Sequence, residues 1–173
     1  GKSPLYKGQP MEVGPLARMW VNNKPLSPVG QAMLREHFGI DAVNFRDLGE
    51  DVAFSLLGRH IARAEETYLM LDVIEGWLRE VKAGEETFST PVIPGSGEGY
   101  ACTEAPRGSL MHFTRVRGGV IDNYQIMPAT LWNTAPRNDK GELGPIETCL
   151  IGVPVPDIEN PVNVARLLRA LYP

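Results

Sequence analysis

A long run of helical periodicity over residues 52–83 restricts the possible folds of this chain more than any other feature of its sequence. Mostly apolar side chains recur there at spacings of three and four, as on one face of an α-helix. The positions are Val52, Leu56, Leu57, His60, Ile61, Ala64, Thr67, Tyr68, Leu71, Ile74, Trp77, Leu78 and Val81. The pattern predicts one helix of about 30 residues, roughly 45 Å long, which Gly84 ends. Such a long helix indicates a large helical body against which it packs.

Two shorter helices are predicted before the long one. Ser27 and Pro28 have the residue types of an N-cap and a first helical position, so a helix should run from there to about Phe38. Gly39 is placed to end it. Residues 1–30 are otherwise expected to be extended and rich in proline, with one short helix near GPLARMWV.

The character of the sequence changes after residue 87. The residues FSTPVIPGSGEGY predict a loop. The pair Gly118 and Gly119 is typical of a hairpin turn, so Leu110–Arg115 and Val120–Met127 should pair as antiparallel strands. Residues 1–86 are thus expected to be mostly helical, and residues 87–159 to be loop and antiparallel strands.

The last part of the chain is predicted to be extended and then helical. The apolar residues CLIGVPVP favour an extended segment. Asn160 and Pro161 then suit the N-cap and first position of a helix to about Leu171, within the region 160–173. The whole pattern predicts an α+β fold that is mainly helical, with a small antiparallel sheet.

Composition excludes several classes of function. A net charge of −4 and a pI near 5.4 argue against a nucleic-acid binder, which is normally basic. No run approaches the roughly 18 apolar residues of a membrane span, and the first residues lack the apolar core of a signal peptide. Cys102 and Cys149 are far apart and form no CxxC motif, so they predict neither a disulfide framework nor a metal site of their own.

Two local patterns allow a functional and a structural interpretation, and the structural one is favoured for both. GSGEGY superficially resembles a phosphate-binding loop but lacks the Lys-Ser/Thr of such loops, which favours a flexible glycine loop. His60 has glutamates near it, but without HExxH spacing it is interpreted as a hydrogen-bonded core or interface histidine. The arginines and glutamates around it are interpreted as pairs on the helix surface. Both cysteines are expected to be inert packing groups in extended segments.

An arginine stands in a largely apolar run, YACTEAPRGSLMHF. An unpaired buried charge is very costly. Either Glu104 and Arg107 neutralise each other, or Arg107 serves a function. Composition and pattern leave both interpretations open, with the simple ion pair ahead.

Five segments carry motifs that bear on this question. They are YKGQPMEVGPLARMWV, GRHIARAEET, EAPRGSLMHF, YQIMPATLWNTAPRN and GPIETCLIGVPVPDIENPVNVARLLRALYP. In this order they resemble PxEVGPLAR, GRHxARAxE, EAPRGxLxHW, YQxxxPSTWNxSPRD and the closing stretch of the large, catalytic subunit of nickel–iron or nickel–iron–selenium hydrogenases. The resemblance covers essentially the whole chain and implies that it is a fragment of the larger fold of that subunit.

The resemblance implies an activity and a set of partners. Members of the family cleave or form H2 at a nickel–iron centre whose iron carries cyanide and carbon monoxide. Electrons pass to iron–sulfur clusters of a small partner subunit, and protons are the other product. In this chain Arg107 matches the arginine over the open metal position, and Pro106 matches the residue that restricts the backbone before it.

Further site residues follow from the same resemblance. Thr130 matches the hydroxyl residue that donates to an iron-bound cyanide, with Ala129 beside it. Pro128 lies one residue earlier than the family's proline, and Leu131 replaces a threonine. The backbone carbonyl of Ile126 matches a ligand of a magnesium or iron ion.

The family's two cysteine pairs, CxxC and DPCxxC, are absent from this sequence. The chain alone is therefore expected not to assemble the metal centre, and the remainder of the large subunit is an expected partner. Two alternatives are a relative of the quinone-site subunit of respiratory complex I and a metal-free structural or regulatory remnant that binds a small subunit. A periplasmic or membrane-associated location, reached through the partner subunit, is favoured over a cytoplasmic one.

Overall fold

The computed structural model describes residues 2–171, which form short helices, one long helix and a small sheet. The helices in chain order are α1 (Pro15–Asn22), α2 (Pro28–Phe38), α3 (Glu50–Ala53), α4 (Leu56–Glu80), α5 (Ala129–Asn133), α6 (Pro145–Leu150) and α7 (Val162–Leu171), with a 3-10 turn at Phe45–Leu48. The strands are β1 (Ser96–Ala105), β2 (Gly108–Arg117) and β3 (Val120–Met127). The α+β class with mainly helical content is confirmed.

The two early helices form where their capping residues predict. The Ser27 side chain accepts a hydrogen bond from the N–H of Gly30 at 3.0 Å, and Gly39 ends α2 with φ of 66° in the left-handed region. Helix α1 begins at Pro15 after Gly14. These boundaries depend on local chemistry and are confirmed.

The long helix is shorter than the periodicity predicts. It has 25 residues, because the one-turn helix α3 ends at Ala53 and the Ser55 side chain caps a new start by accepting from the N–H of Gly58 at 3.0 Å. A Cβ at Gly58 would lie 2.2 Å from the Ala53 carbonyl oxygen, so glycine allows this close turn. The predicted end at Gly84 is also wrong, since α4 ends at Glu80 with an extended residue after it.

The hydrophobic core lies between α1, α2, the 3-10 turn, α3 and the first half of α4. Its buried members are Leu16, Met19, Leu26, Leu34, Ala42, Phe45, Leu48, Ala53 and Ala62. All residues from 71 to 80 are exposed, although the apolar stripe continues through them. The first half of α4 is therefore the part of the long helix that is anchored within residues 2–171.

The three strands form an antiparallel meander in the order β1-β2-β3. The predicted hairpin is confirmed, with Met111 opposite Met127 and a turn at Gly118 and Gly119 whose φ angles are 59° and 77°. The prediction of a loop over GSGEGY is wrong, because β1 already begins at Ser96 and runs along β2 to Ala105.

The second half of the chain contains more helix than predicted. Cys149 and Leu150, expected to be extended, belong to α6, whose start is stabilised by a hydrogen bond from the Gly144 N–H to Glu147 at 2.9 Å. In α7 the first helical carbonyl is that of Pro161, which accepts from Ala165 at 3.3 Å, so the helix starts one residue later than predicted. Residues 2–171 contain no helix with the length and apolar composition of a membrane span.

Candidate functional site

Arg107 lies at the tip of the β1–β2 hairpin. Ala105 pairs with Gly108, so Pro106 and Arg107 alone form the turn between the two strands. Arg107 is exposed, whereas Gly108 is buried with φ of 135°. A backbone carrying an exposed charge is thus held at the end of a regular ladder.

The hairpin tip packs against the residues that begin α1. A Cβ at Gly14 would lie 2.7 Å from the carbonyl oxygen of Arg107, and one at Gly108 would lie 2.6 Å from Cγ2 of Val13. Both glycines also have positive φ angles, 119° and 135°. Only glycine satisfies both requirements, so the VG of EVGPLAR and the RG of EAPRG form one close contact.

Arg18 of helix α1 also holds the tip. Its Nη1 donates to the carbonyl oxygen of Ala105 at 3.1 Å, and its Nη2 donates to that of Pro106 at 2.8 Å. The two peptide carbonyls that lead into Arg107 are therefore both fixed by one guanidinium group.

Two carboxylates fix Arg18 in turn. Glu66 accepts from Nε at 2.5 Å and from Nη2 at 2.6 Å, and Glu104 accepts from Nη1 at 2.6 Å. The hydrogen bonds to Glu66 raise the pKa of Arg18 above its ordinary value; burial opposes this rise and Glu104 adds to it. Glu104 therefore pairs with Arg18, as part of the group of charges that holds the tip.

Helix α5 brings a second predicted segment to the same place. The buried Asn133 accepts a hydrogen bond from the N–H of Val13 at 2.8 Å and donates to the carbonyl of Val13 at 3.0 Å. Its Nδ2 also donates to the carbonyl of Leu171 at 3.0 Å. Thus α5 and the hairpin tip both contact the segment around Val13, and Asn133 also joins α5 to the end of α7.

The remaining predicted site residues lie near this end of the sheet. Ala129 is buried and Thr130 is half-buried in the first turn of α5. The Thr130 carbonyl accepts from the Thr134 hydroxyl at 2.8 Å. Ile126 pairs with His112 near the end of β3, next to the pair of Met111 with Met127. Met111 is three residues along β2 from Gly108, a distance of about 10 Å along the strand.

A second charged cluster is formed around Glu12, the residue before Val13. Arg59 is 5% exposed and forms two hydrogen bonds to Glu12, at 2.8 and 2.7 Å. It also donates to the carbonyl of Phe54 at 2.5 Å and to Sγ of Cys149 at 3.1 Å. Burial lowers the pKa of Arg59, but the hydrogen bonds and charge of Glu12 outweigh that effect and leave it raised.

Several charged residues of α4 contact distant segments, and the prediction of surface pairs along the helix is wrong for them. The buried Glu65 accepts from the N–H and the hydroxyl of Ser27 at 2.5 and 3.0 Å. Arg63 donates to the carbonyl of Ala170 at 2.7 Å. His60, predicted to be a core or interface histidine, is exposed, with Arg63 3.5 Å from its Nδ1.

Neither cysteine belongs to a metal site within the described part of the chain. Residues 2–171 contain no group of three His, Cys, Asp or Glu side chains that could hold a metal ion. Cys102 is exposed on β1, and Cys149 is half-buried on α6. Sequence reasoning did not identify Arg18, Glu66, Glu12 or Arg59, although each lies inside a quoted motif.

The structure is similar to solved hydrogenases over nearly its whole length. The Ni-Fe-Se hydrogenase from Desulfovibrio vulgaris Hildenborough in the reduced state matches with a TM-score of 0.93 and 62% identity, over 99% of this chain and 36% of that one. The reduced, active Ni-Fe-Se hydrogenase from Desulfomicrobium baculatum matches with a TM-score of 0.92 and 58% identity, over 98% of this chain and 35% of that one.

The sequence comparisons agree with the structural ones. The periplasmic NiFeSe hydrogenase large subunit of Desulfomicrobium baculatum is 58% identical over 99% of this chain, and the hydrogenase-2 large chain of Escherichia coli K12 is 34% identical over 99%. The chain spans about a third of the length of these relatives, 33% and 32%. The sequence pattern that describes the nickel-dependent hydrogenases matches all of residues 1–173. This chain therefore belongs to the nickel-dependent hydrogenase family.

Proposed function

We propose that this chain is the part of a hydrogenase large subunit that surrounds a nickel–iron centre, and that Arg107 acts above that centre. The observation that carries the proposal is the combination of a fixed backbone with an exposed charge. Val13, Gly14 and Arg18 hold the turn, while the guanidinium at its tip remains exposed. A charged group presented in this way suits a reacting centre supplied from elsewhere.

The residues of this chain are suited to surround the metal centre, and they are not suited to coordinate its metal ions. The described residues supply no cluster of metal-binding side chains, and the cysteine ligands are proposed to lie outside residues 1–173. The nickel–iron centre, when bound, supplies the heterolytic cleavage of H2 into protons and electrons. Arg107 would then stabilise negative charge, because a guanidinium is always protonated and carries its donors in a fixed plane.

Other residues are proposed to hold the groups bound to iron. Pro106 and Ala129 would limit the space around the cyanide and carbon monoxide ligands, and the Thr130 hydroxyl would donate to a cyanide. Ala129 is buried and Thr130 lies in the first turn of α5, which supports fixed positions for both. The carbonyl of Ile126 is proposed as a ligand of a magnesium or iron ion, a role that requires no polar side chain.

The proposed assembly includes the remainder of the large subunit and an iron–sulfur small subunit that accepts the electrons. The exposed apolar half of α4, residues 71–80, supports the presence of further protein around this chain. A periplasmic or membrane-associated location is proposed because one relative is named periplasmic.

The test is Arg107→Lys in the intact enzyme, with Arg117→Lys as the matched control. Arg117 is an exposed arginine at the far end of β2, the strand that begins just after Arg107. Removing one preorganised donor costs about 100- to 1,000-fold in turnover in other enzymes. We expect a loss of that order for Arg107→Lys with unchanged nickel content, and normal turnover for the control.

Two results would overturn the proposal. Near-normal H2 oxidation by Arg107→Lys would remove Arg107 from the mechanism. Absence of nickel from the purified intact protein would remove the hydrogenase function itself and favour a metal-free role.

A further inference from the structure

We propose that Arg18 is a positioning residue for Arg107, and that the reaction depends on it through the shape of the Pro106–Arg107 turn. The inference rests on the proposed role of Arg107. It concerns a different residue, one that belongs to helix α1 and is half-buried.

All the donors of Arg18 have partners in the structure. A guanidinium has five N–H groups. Nε and one N–H of Nη2 donate to Glu66, one N–H of Nη1 donates to Glu104, and the remaining two donate to the carbonyls of Ala105 and Pro106. Charge-assisted and bidentate bonds of this kind are the strong ones. These five hydrogen bonds therefore hold the Arg18 side chain in one conformation.

The arrangement connects the hairpin to the helical core. Arg18 lies on α1 and Glu66 on α4, two helices that pack against each other around the core. At its far end, β2 leads into the exposed turn at Gly118 and Gly119. Arg18 contacts the two-residue turn on one side, and Gly14 lies against it on the other.

A lysine cannot replace this arginine. Its ammonium group has only three donors and is not planar, so it cannot hydrogen-bond to two carboxylates and two carbonyls at once. Loss of the carbonyl contacts would let the turn shift, and a misplacement of about 1 Å can reduce a rate about 100-fold. Arg18→Lys should therefore reduce turnover without removing a group that touches the reacting atoms.

The chain offers a matched pair of variants for the test. Glu66→Gln weakens the support of Arg18, whereas Glu65→Gln changes the adjacent, more buried glutamate, whose partner is Ser27. Both changes remove one charge from α4 and lower stability. Only Glu66→Gln alters the contacts of Arg18, so it separates positioning from general loss of stability.

The experiment measures hydrogen exchange, infrared spectra and turnover in the intact enzyme. In Arg18→Lys and Glu66→Gln we expect faster amide exchange in the peptide spanning residues 104–110, and shifted or broadened stretching bands of the iron-bound carbon monoxide and cyanide. Turnover should fall at least tenfold in Arg18→Lys, with unchanged nickel content. Glu65→Gln should keep wild-type exchange in this peptide, wild-type bands and wild-type turnover.

A double variant distinguishes the two proposals. If Arg18 acts through Arg107, then Arg18→Lys combined with Arg107→Lys should be no slower than Arg107→Lys alone. Normal exchange and normal turnover in Arg18→Lys, with a slow Arg107→Lys, would overturn the positioning role only. Faster exchange in Arg18→Lys with a fully active Arg107→Lys would overturn the role of Arg107, and the contacts of Arg18 would then only stabilise the fold.

Discussion

Asn133 and Val13 are 120 residues apart and form a two-point hydrogen bond, in which the amide of Asn133 meets both the N–H and the carbonyl of Val13. The distances are 2.8 and 3.0 Å, and Asn133 is 2% exposed. The next residue, Gly14, touches the carbonyl of Arg107. The asparagine thus fixes the segment against which the hairpin tip rests.

Asn133→Asp should destabilise the protein although the side chain keeps its shape. The carboxylate can still accept from the Val13 N–H but cannot donate to the carbonyls of Val13 and Leu171, and it buries a charge. Two lost bonds with unsatisfied buried acceptors cost about 2–4 kcal/mol. A melting temperature lower by several degrees, measured by calorimetry on the intact enzyme, is the expected result.

The control for this variant is Asn163→Asp. Its Nδ2 donates to the carbonyl of Pro154 at 3.0 Å and its Oδ1 accepts from Arg166 at 3.3 Å, both in exposed positions. The aspartate keeps an acceptor for Arg166, so little change is expected. Equal melting temperatures for the two variants would contradict the structural role of Asn133.

Gly144→Ala tests the close approach between the start of α6 and the residues after α5. A Cβ at Gly144 would lie 1.6 Å from the carbonyl oxygen of Ala135, a backbone atom that cannot move aside by itself. Overpacking of this kind costs about 3 kcal/mol. We expect poor soluble yield or a clear drop in melting temperature.

Gly95→Ala provides the comparison for that variant. Nothing lies within 4 Å of a Cβ at Gly95, so the added methyl group meets no neighbour. We therefore expect Gly95→Ala to keep its melting temperature. An equal drop in melting temperature in both variants would contradict the close contact between Gly144 and Ala135.

Arg59→Met should be more damaging than a double change of the same pair. Removing Arg59 leaves the partly buried Glu12 carboxylate, 22% exposed at its side chain, without its two hydrogen bonds. Breaking one side of a buried pair costs about 3–5 kcal/mol, and the exposure of Glu12 places this case at the lower end. Adding Glu12→Leu should restore part of the lost melting temperature. A double variant less stable than Arg59→Met would show that the pair is not coupled in this way.

The parts of the fold that could be predicted are those set by neighbouring residues. Ser27 and Gly39 cap α2 through bonds within three to five positions, and Gly118–Gly119 adopts a turn that glycine makes possible. Periodicity does not predict the break before α4, because the apolar stripe runs across it. What decides the break is the Ser55 cap and the close fit of Gly58.

The site was predictable only in part, for a related reason. The family motifs indicated Arg107, but no local pattern shows that Arg18 binds Glu66 and the hairpin, which are 48 and 86–88 positions away. Glu65 and Glu66 look equivalent in the sequence, yet they face Ser27 and Arg18 respectively. Such assignments depend on how helices pack, which periodicity alone does not specify.

Cys149 should react slowly with iodoacetamide. Burial raises the pKa of its thiol, the nearby Arg59 opposes the rise, and the net direction is upward. Because the thiolate is the reactive form, Cys149 should be modified several-fold more slowly than free cysteine at about pH 8, with a rate that keeps rising above the ordinary thiol pKa of about 8.5. A pKa that is higher in the folded than in the unfolded protein also makes stability depend on pH. The protonated thiol contributes to stability below the ordinary thiol pKa, and this contribution is lost as the pH rises through the folded-state pKa. Mass spectrometry of the peptide containing Cys149 follows the reaction, and Cys149→Ser assigns the signal. Modification as fast as that of free cysteine would show that burial does not protect the thiol.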